Sequence, residues 1–343
     1  MATQVFVYDK MGNMVGDLMA PTCYRSWVLN EYGRAVLTIA KTDSKCSDRY
    51  LRFGNYILIR HDAAGDWAGI IWTPRNWSAD TVEVSCYSAE FILKLRRGTG
   101  PAAVKLTGQA GVIFGQIIDD ANADAEYKIQ DGEMYTGGVS REETVRFDNL
   151  YDTVRRIAER SGNDWAIEPD VDAFNRLRFK ACWYSKRGGD RTMRLEEGVN
   201  LKHPNGIVMA EQGDIINDMV VYGTAAVSGS TVYAQRTDQA SIGRYGLAQG
   251  AMSESVNTQA TVDAGSDARL AYYKEPRKVF RNLVALDVND TFDSLGIGDV
   301  LPLRLLRYGF LGDGFGSDAR VRILAKEFED QRGEMALTLQ EVI

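Results

Sequence analysis

Histidine and cysteine are scarce in this chain of 343 residues, which contains two histidines and four cysteines. His61 and His203 belong to no HxxxH, HExxH or Cys/His spacing, so the sequence gives no support to a zinc centre. Because His203 precedes Pro204 and no GxSxG motif occurs, a serine triad has no support either, and we interpret both histidines as surface or turn residues. The cysteines show no CxxC spacing, which favours free thiols at Cys23, Cys46, Cys86 and Cys182.

Long apolar runs are also absent. The runs at 56–59 and 69–72 fall far short of the roughly 20 residues that a membrane helix needs. The first residues enter an alternating pattern directly, with no basic segment followed by an apolar one. We therefore expect a soluble protein with no membrane span and no secretory signal, made and folded in a cytoplasm.

Positive charge is in short supply. Lysine and arginine number 40 against 47 acidic residues, which gives a net charge of −7. This net negative charge argues against a protein that binds nucleic acid over most of its surface. The composition, 45% hydrophobic and 25% charged, is typical of a packed globular protein, and the length predicts two or three domains.

Alternating strands dominate residues 1–97. In the last of them, Val82, Val84 and Cys86 alternate with polar residues, which predicts one buried and one wet face. Turns rich in Gly, Asn and Asp separate six such segments, and this spacing is typical of a sandwich or small barrel with its core on one side. The predicted strands are 4–8, 24–29, 34–40, 56–61, 67–72 and 81–87.

Helical spacing appears after residue 88 and predicts a mixed α+β domain over 98–200. Apolar residues at 150, 154, 157 and 158 form one helical stripe, followed by two short strands at 165–167 and 176–179. Together they predict a compact αββ unit. Further helices are predicted near 91–95 and 112–117.

Residues 201–343 return to strands, with a helix near 258–274 that Pro276 ends. Alternation at 301–305, 321–325 and 335–339 predicts a second barrel-like module. The fold class is therefore mainly β with an α+β insertion and two barrel-like modules, divided into domains 1–97, 98–200 and 201–343.

No motif predicts a cofactor or a metal. The acidic pairs at 119–120, 142–143 and 196–197 are adjacent in sequence, whereas a glycosidase needs two carboxylates that face each other across a cleft, so we interpret them as solvated faces. The glycine-rich loop 309–319 contains a GxGxxA match but continues into a strand rather than a helix, so it predicts no phosphate site. Its large apolar side chains either pack on their own barrel or form a partner interface: Tyr308, Phe310, Leu311 and Phe315.

Several segments, taken in order, resemble the baseplate hub or tail-associated proteins at the tip of bacteriophage tails and related injection machines. The opening strands, with Gly12, the Asn-Glu-Tyr-Gly turn at 30–33 and Gly-Ile-Ile at 69–71, resemble the first barrel of such hubs. The unit at 150–179 resembles their middle region. The later half is similar in three segments: Asn-Asp-Met-Val-Val-Tyr-Gly at 217–223, Asp-Gln-Ala-Ser-Ile-Gly-Arg-Tyr-Gly at 238–246 and Gly-Ile-Gly-Asp-Val at 296–300.

This resemblance implies a structural protein of the virion tail tip or baseplate, without enzymatic activity, assembled in the bacterial host cytoplasm. Each subunit would carry two tail-tube-like β-barrels, and three subunits would form a pseudo-sixfold ring through which DNA passes without specific binding. The implied partners are a distal tail protein or tail tube, the tape measure protein and a central fibre or spike. We expect the following residues to hold the inter-domain crossing: Asn217, Tyr222, Gly223, Asp238, Ser241, Tyr245 and Gly246.

Three alternatives remain open at this point. A hexameric distal tail or tube adaptor also uses the barrel fold, but the second barrel after Asn200 argues against it. A cell-wall glycosidase would depend on Glu142 or Glu196. Glycan binding would use Trp72, Trp77 and Trp183, although tryptophans of this kind are more commonly core or interface residues.

Overall fold

A computed structural model describes most of the chain, namely residues 3–18, 22–98, 104–123, 125–203, 209–212, 215–223, 232–254, 258–288, 291–306 and 317–342. The fold is mainly β, as the alternating patterns predict. Up to residue 98 the elements are β1 (Gln4–Tyr8), β2 (Met14–Leu18), β3 (Thr22–Val28), β4 (Arg34–Ala40), α1 (Asp48–Leu51), β5 (Tyr56–Arg60), β6 (Trp67–Ile71), β7 (Asn76–Trp77), β8 (Thr81–Ser88) and α2 (Phe91–Lys94).

The middle unit, which we define as residues 104–184, contains two smaller sheets and two long helices. Its elements are β9 (Val104–Gly108), α3 (Ala110–Asn122), β10 (Gln130–Met134), β11 (Arg141–Val145), α4 (Leu150–Ser161), β12 (Asp164–Val171) and β13 (Leu177–Tyr184). β9 pairs with β11, and β13 lies between β10 and β12. The predicted αββ unit of α4, β12 and β13 is thereby confirmed.

Helix α4 shows why the sequence pattern works locally. The Asn149 side chain accepts a hydrogen bond from the Asp152 N–H at the N-terminus, and Gly162 ends the helix with a φ of +65°. The predicted apolar stripe is buried along one face, at positions 150, 154, 157 and 158. Capping and periodicity therefore agree on the bounds of this helix.

The remaining elements begin after the middle unit. They are β14 (Leu195–Glu196), β15 (Met209–Gln212), β16 (Asp218–Gly223), β17 (Tyr233–Thr237), α5 (Gln239–Tyr245), β18 (Gln249–Glu254), α6 (Gln259–Tyr273), β19 (Arg277–Ala285), β20 (Val300–Leu305), β21 (Ser317–Glu329) and β22 (Glu334–Glu341). β16, β17, β18, α5 and α6 form what we call the small sheet unit, in which β16 lies between β17 and β18.

One sheet of fourteen strands connects the two ends of the chain. Its main path is β15-β19-β22-β21-β3-β4-β8-β6-β5-β1-β2, and the short β7 and β14 and the strand β20 pair alongside. The connection is made by β21, whose first half pairs with β20 and whose second half pairs with β3, from Ala325 opposite Val28 to Glu329 opposite Tyr24. None of the sheets closes into a barrel over the residues that are described.

The prediction of a core on one side of the first module is wrong for its central strands. In β5, Ile57 and Ile59 join one apolar cluster while Tyr56 and Leu58 join another. The second cluster exists because α2, α3, α4, β12 and β13 cover the outer face of the sheet. Strand β5 is therefore buried on both faces, as a strand between two packed layers must be.

Candidate assembly site

A network of hydrogen bonds in the small sheet unit brings together four of the seven residues that the resemblance singles out. Asn217 is fully buried, and its amide donates to the Gly246 carbonyl (2.7 Å) and to the Ser241 hydroxyl (3.3 Å). Its side-chain oxygen accepts from the Ala248 N–H at 2.8 Å. The Asn217 side chain thus fixes where β16 begins relative to α5 and to the segment that leads into β18.

Helix α5 is attached to the same network at its N-terminus. Asp238 accepts the Ser241 N–H at 2.9 Å and the Lys274 ammonium at 3.1 Å, which together hold the pKa of its carboxyl below the usual value. The Ser241 hydroxyl donates to the Lys274 carbonyl. These contacts connect α5 to the C-terminal end of α6.

The other three residues lie apart from this network. Tyr222 and Gly223 occupy the far end of β16, where Tyr222 is half-exposed opposite Tyr233 of β17. Tyr245 is exposed, and its ring lies beside the Arg244 guanidinium. All seven residues belong to the small sheet unit, and their role in an inter-domain crossing stays a prediction.

Asp218 is a residue of this region that the sequence analysis did not single out. It is buried on the face of β16 away from α6, and accepts hydrogen bonds from Gln235 (2.7 Å), Thr237 (2.9 Å) and Gln249 (2.7 Å). These bonds hold the pKa of Asp218 below its usual value. The carboxylate therefore connects all three strands of the sheet. The sequence alone gives no signal for this role, because it depends on which strands pair with β16.

Asp299 was also missed, although it lies within the Gly-Ile-Gly-Asp-Val segment. Its buried carboxylate accepts the Gly189 N–H and the Arg191 Nε–H, both at 2.8 Å. Gly298 approaches the Arg187 carbonyl so closely that an added Cβ would lie 2.3 Å from its oxygen, and its φ is +87°. This segment therefore fastens the chain that leaves the middle unit to the start of β20.

A buried cluster of charges connects the middle unit to the small sheet unit. We call it the arginine cluster, and its members are Arg141, Glu143, Arg156, Arg160, Glu254 and Arg269. Arg160 of α4 bridges the two carboxylates, donating to Glu143 of β11 at 2.8 Å and pairing with Glu254 of β18. No sequence pattern predicts this cluster, because its members come from four separate elements.

The interpretation of the acidic pairs as solvated faces is wrong for two of their members. Glu143 is buried within the arginine cluster, and Glu197 is buried where it accepts the Leu306 N–H and contacts His203 at 2.9 Å. Glu142 and Glu196 lie nearer the surface, where they pair with Lys105 and Arg304. Each of these carboxylates is committed to a structural partner, an arrangement unlike two acids facing each other across a cleft.

The histidines and cysteines were the other residues considered for catalysis or metal binding. The His61 ring accepts the Ala63 and Ala64 N–H groups, and burial lowers its pKa. Within the described ranges no three His, Cys, Asp or Glu side chains are grouped as a metal site would require, and no helix there is long and apolar enough to cross a membrane. The cysteines are free thiols, as predicted.

Two of the three tryptophans that were candidates for glycan binding are exposed, and the third is buried. Trp183 is fully buried in the middle unit and is therefore unavailable to a glycan, whereas Trp72 and Trp77 are 42% and 58% exposed. The Lys41 ammonium and the Arg75 guanidinium both lie over the Trp77 ring, at 5.5 and 5.9 Å from its centre. The predicted partner interface at Tyr308, Phe310, Leu311 and Phe315 lies outside the described residues.

Solved phage tail proteins share this fold. A prophage tail protein, gp18, from Listeria monocytogenes is 13% identical, with a TM-score of 0.61 over 98% of this chain and 94% of its own. The 43 kDa tail protein of prophage MuSo2 from Shewanella oneidensis is 14% identical, with a TM-score of 0.62 over 99% and 98%. The E. coli c3393 protein, a type VI secretion component described as similar to T4 tail proteins gp27 and gp5, is 11% identical, with a TM-score of 0.53 over 94% and 74%. No protein-family model and no curated protein matches the sequence.

Proposed function

We propose that this chain is a structural subunit of a phage tail tip or baseplate, a hub protein without enzymatic activity. The observation that carries the proposal is the agreement in fold with prophage tail proteins over nearly the full length of both chains. A shared fold alone does not fix a function. The second support is that the buried carboxylates of the arginine cluster and of Asp299 pair with arginines that join one part of the chain to another.

In this proposal three copies form a ring with pseudo-sixfold symmetry. The two halves of the fourteen-stranded sheet would supply the two tube-like modules of each subunit, and β2 and β15, which end the main path of that sheet, are edges over which a neighbour could continue the pairing. Three exposed apolar side chains would be covered by a neighbouring subunit or tail protein: Met11 in the β1–β2 turn, Met14 at the start of β2 and Phe174 in the β12–β13 turn.

The partners follow from the same role. The ring would join the tail tube or distal tail protein above to a central fibre or spike below, with the tape measure protein at its opening, and DNA would pass without specific binding. The net charge of −7 suits a channel that repels DNA. The location would be the virion tail tip, after assembly in the host cytoplasm.

Native mass spectrometry over a concentration series, with negative-stain images of any oligomer, tests this proposal. We expect a trimer with a central opening. A hexamer would instead indicate the tail adaptor, and a strict monomer that stays monomeric with the purified tail tube or fibre partner would contradict the hub. A second experiment tests whether Gly223 and Gly246 hold an inter-domain crossing. In that case Gly223→Val and Gly246→Val should impair assembly, and unchanged assembly by both variants would count against this role.

A further inference from the structure

The arginine cluster has more positive than negative charge. It contains four guanidinium groups and two carboxylates, and each carboxylate already receives two arginines. Glu143 accepts from Arg156 Nε at 3.1 Å and from Arg160 Nη1 at 2.8 Å. Glu254 pairs with Arg160 and accepts from Arg269 Nη2 at 2.6 Å.

Arg141 is the member that pairs with no carboxylate of the described residues. Its side chain lies on β11 and is about nine-tenths buried, and its Nε and Nη1 atoms are shielded from solvent and have no hydrogen-bond partner among the described residues. Burial lowers the pKa of Arg141 from its usual value; Arg160 adds to this effect, whereas Glu254 and Glu143 oppose it. An arginine nevertheless stays protonated in proteins, so the positive charge remains.

A buried guanidinium with two unpaired N–H groups is costly, because it loses its hydration and gains no acceptor in return. Native proteins leave few buried donors unpaired, and an ion or an ordered water commonly supplies the missing partner. The cluster as a whole has four arginines and two glutamates, and this net positive charge favours an anion over water as the partner of Arg141. The enclosure of the two N–H groups favours a small one.

We propose that the arginine cluster binds a small inorganic anion, of the size of chloride or bromide, through Arg141. The Nε–H and Nη1–H groups would donate to the anion, while Arg160 contributes charge from the side. Because the cluster joins β11 and α4 of the middle unit to β18 and α6 of the small sheet unit, the anion would strengthen the attachment of these two units. Such an anion would bind whether or not the chain is a tail subunit.

Thermal unfolding of the full chain tests the site. Sodium bromide replaces sodium gluconate at constant ionic strength, because gluconate is too large for an enclosed site. We expect bromide to raise the Tm of the wild-type protein by about 3 °C, as a ligand that binds only the folded state does. Arg141→Gln should lose this response, whereas Arg155→Gln, an exposed arginine of α4 that pairs with Glu159, should keep it.

A measurement that needs no variant accompanies the melts. In a crystal grown with bromide, we expect an anomalous scattering peak within hydrogen-bonding distance of Arg141 Nε and Nη1. Absence of that peak, a bromide response equal in wild type and Arg141→Gln, or no response at all would each overturn the proposal. If Arg141→Gln does not fold, the crystallographic result decides alone.

Discussion

Lys326 offers a quantitative test of how the two ends of the chain are joined. It lies on β21, is 8% exposed, and donates hydrogen bonds to the Ala64 carbonyl at 3.3 Å and the Leu295 carbonyl at 3.1 Å. Its ammonium also lies 4.6 Å from the centre of the Trp27 ring. Burial lowers the pKa of Lys326 to about 8 from 10.5. Among the charges that face it, Arg187 and Arg25 lower this pKa, while Asp299 and Asp293 raise it.

The lowered pKa of Lys326 determines how the stability of the protein changes with pH. Because the folded protein holds this proton less tightly than the unfolded chain, the charged lysine destabilises the fold below pH 8, and this cost disappears as the pH rises from about 8 to 10.5. A shift of this size corresponds to about 3 kcal/mol at neutral pH. The two lost hydrogen bonds are worth about 1 kcal/mol each. Lys326→Met, which keeps the apolar stem, should therefore stabilise the protein by about 1 kcal/mol at pH 7.

Urea unfolding of wild type and Lys326→Met at pH 7 and at a pH near 9.5 measures the effect. The difference in the free energy of unfolding between variant and wild type should move towards destabilisation by about 2 kcal/mol between the two pH values, because the wild type loses its penalty. Lys278→Met on β19, whose ammonium lies 3.4 Å from Glu341 near the surface, is the matched control and should show little of this change. A difference for Lys326→Met that does not vary with pH would refute the reasoning.

Three further predictions concern stability. On α3, Gly115→Ala should stabilise the protein by about 0.5–1 kcal/mol, since beyond its own helical turn no atom lies within 4 Å of the added Cβ. Gly111→Ala should destabilise it, since that Cβ would lie 2.1 Å from the Tyr135 carbonyl oxygen; equal Tm shifts would contradict this packing. Asn217→Ala should cost about 2–3 kcal/mol in urea unfolding by leaving buried partners unpaired, and a cost near zero would argue against the network. Gly246→Val should lower the Tm because its φ is +83°, and an unchanged melt would show that this backbone relaxes easily.

Local patterns predicted most of the elements that bury a clear face. The strand at Arg34–Ala40 has the predicted bounds, and α4 begins at the first residue of its apolar stripe. The pattern missed β2, because Met-Val-Gly-Asp-Leu contains a glycine and a charge where alternation would need apolar residues. It also missed β19, in which a register shift between Phe280 and Leu283 interrupts the alternation.

The candidate site was predictable only in part. The order of segments pointed to Asn217, Asp238, Ser241 and Gly246, which the structure brings into one network. The arginine cluster could not be predicted from the sequence, because nothing in the sequence distinguishes Glu143 from Glu142. Only the packing of α4 against β11 buries Glu143 and leaves Glu142 near the surface. Adjacent residues on a strand point to opposite faces, so their environments need not agree.

The sequence by itself determined the mainly β class, the apolar stripe of α4 and the positions of the strands that alternate clearly, because these depend on neighbours a few residues away. Only the tertiary structure decided that the first and last strands share one sheet through β21 and β3, with Phe328 opposite Arg25. It also decided that β5 has a core on both faces. Pairing across some three hundred residues depends on which surfaces meet in three dimensions, and a local pattern of apolar and polar residues does not specify its partner.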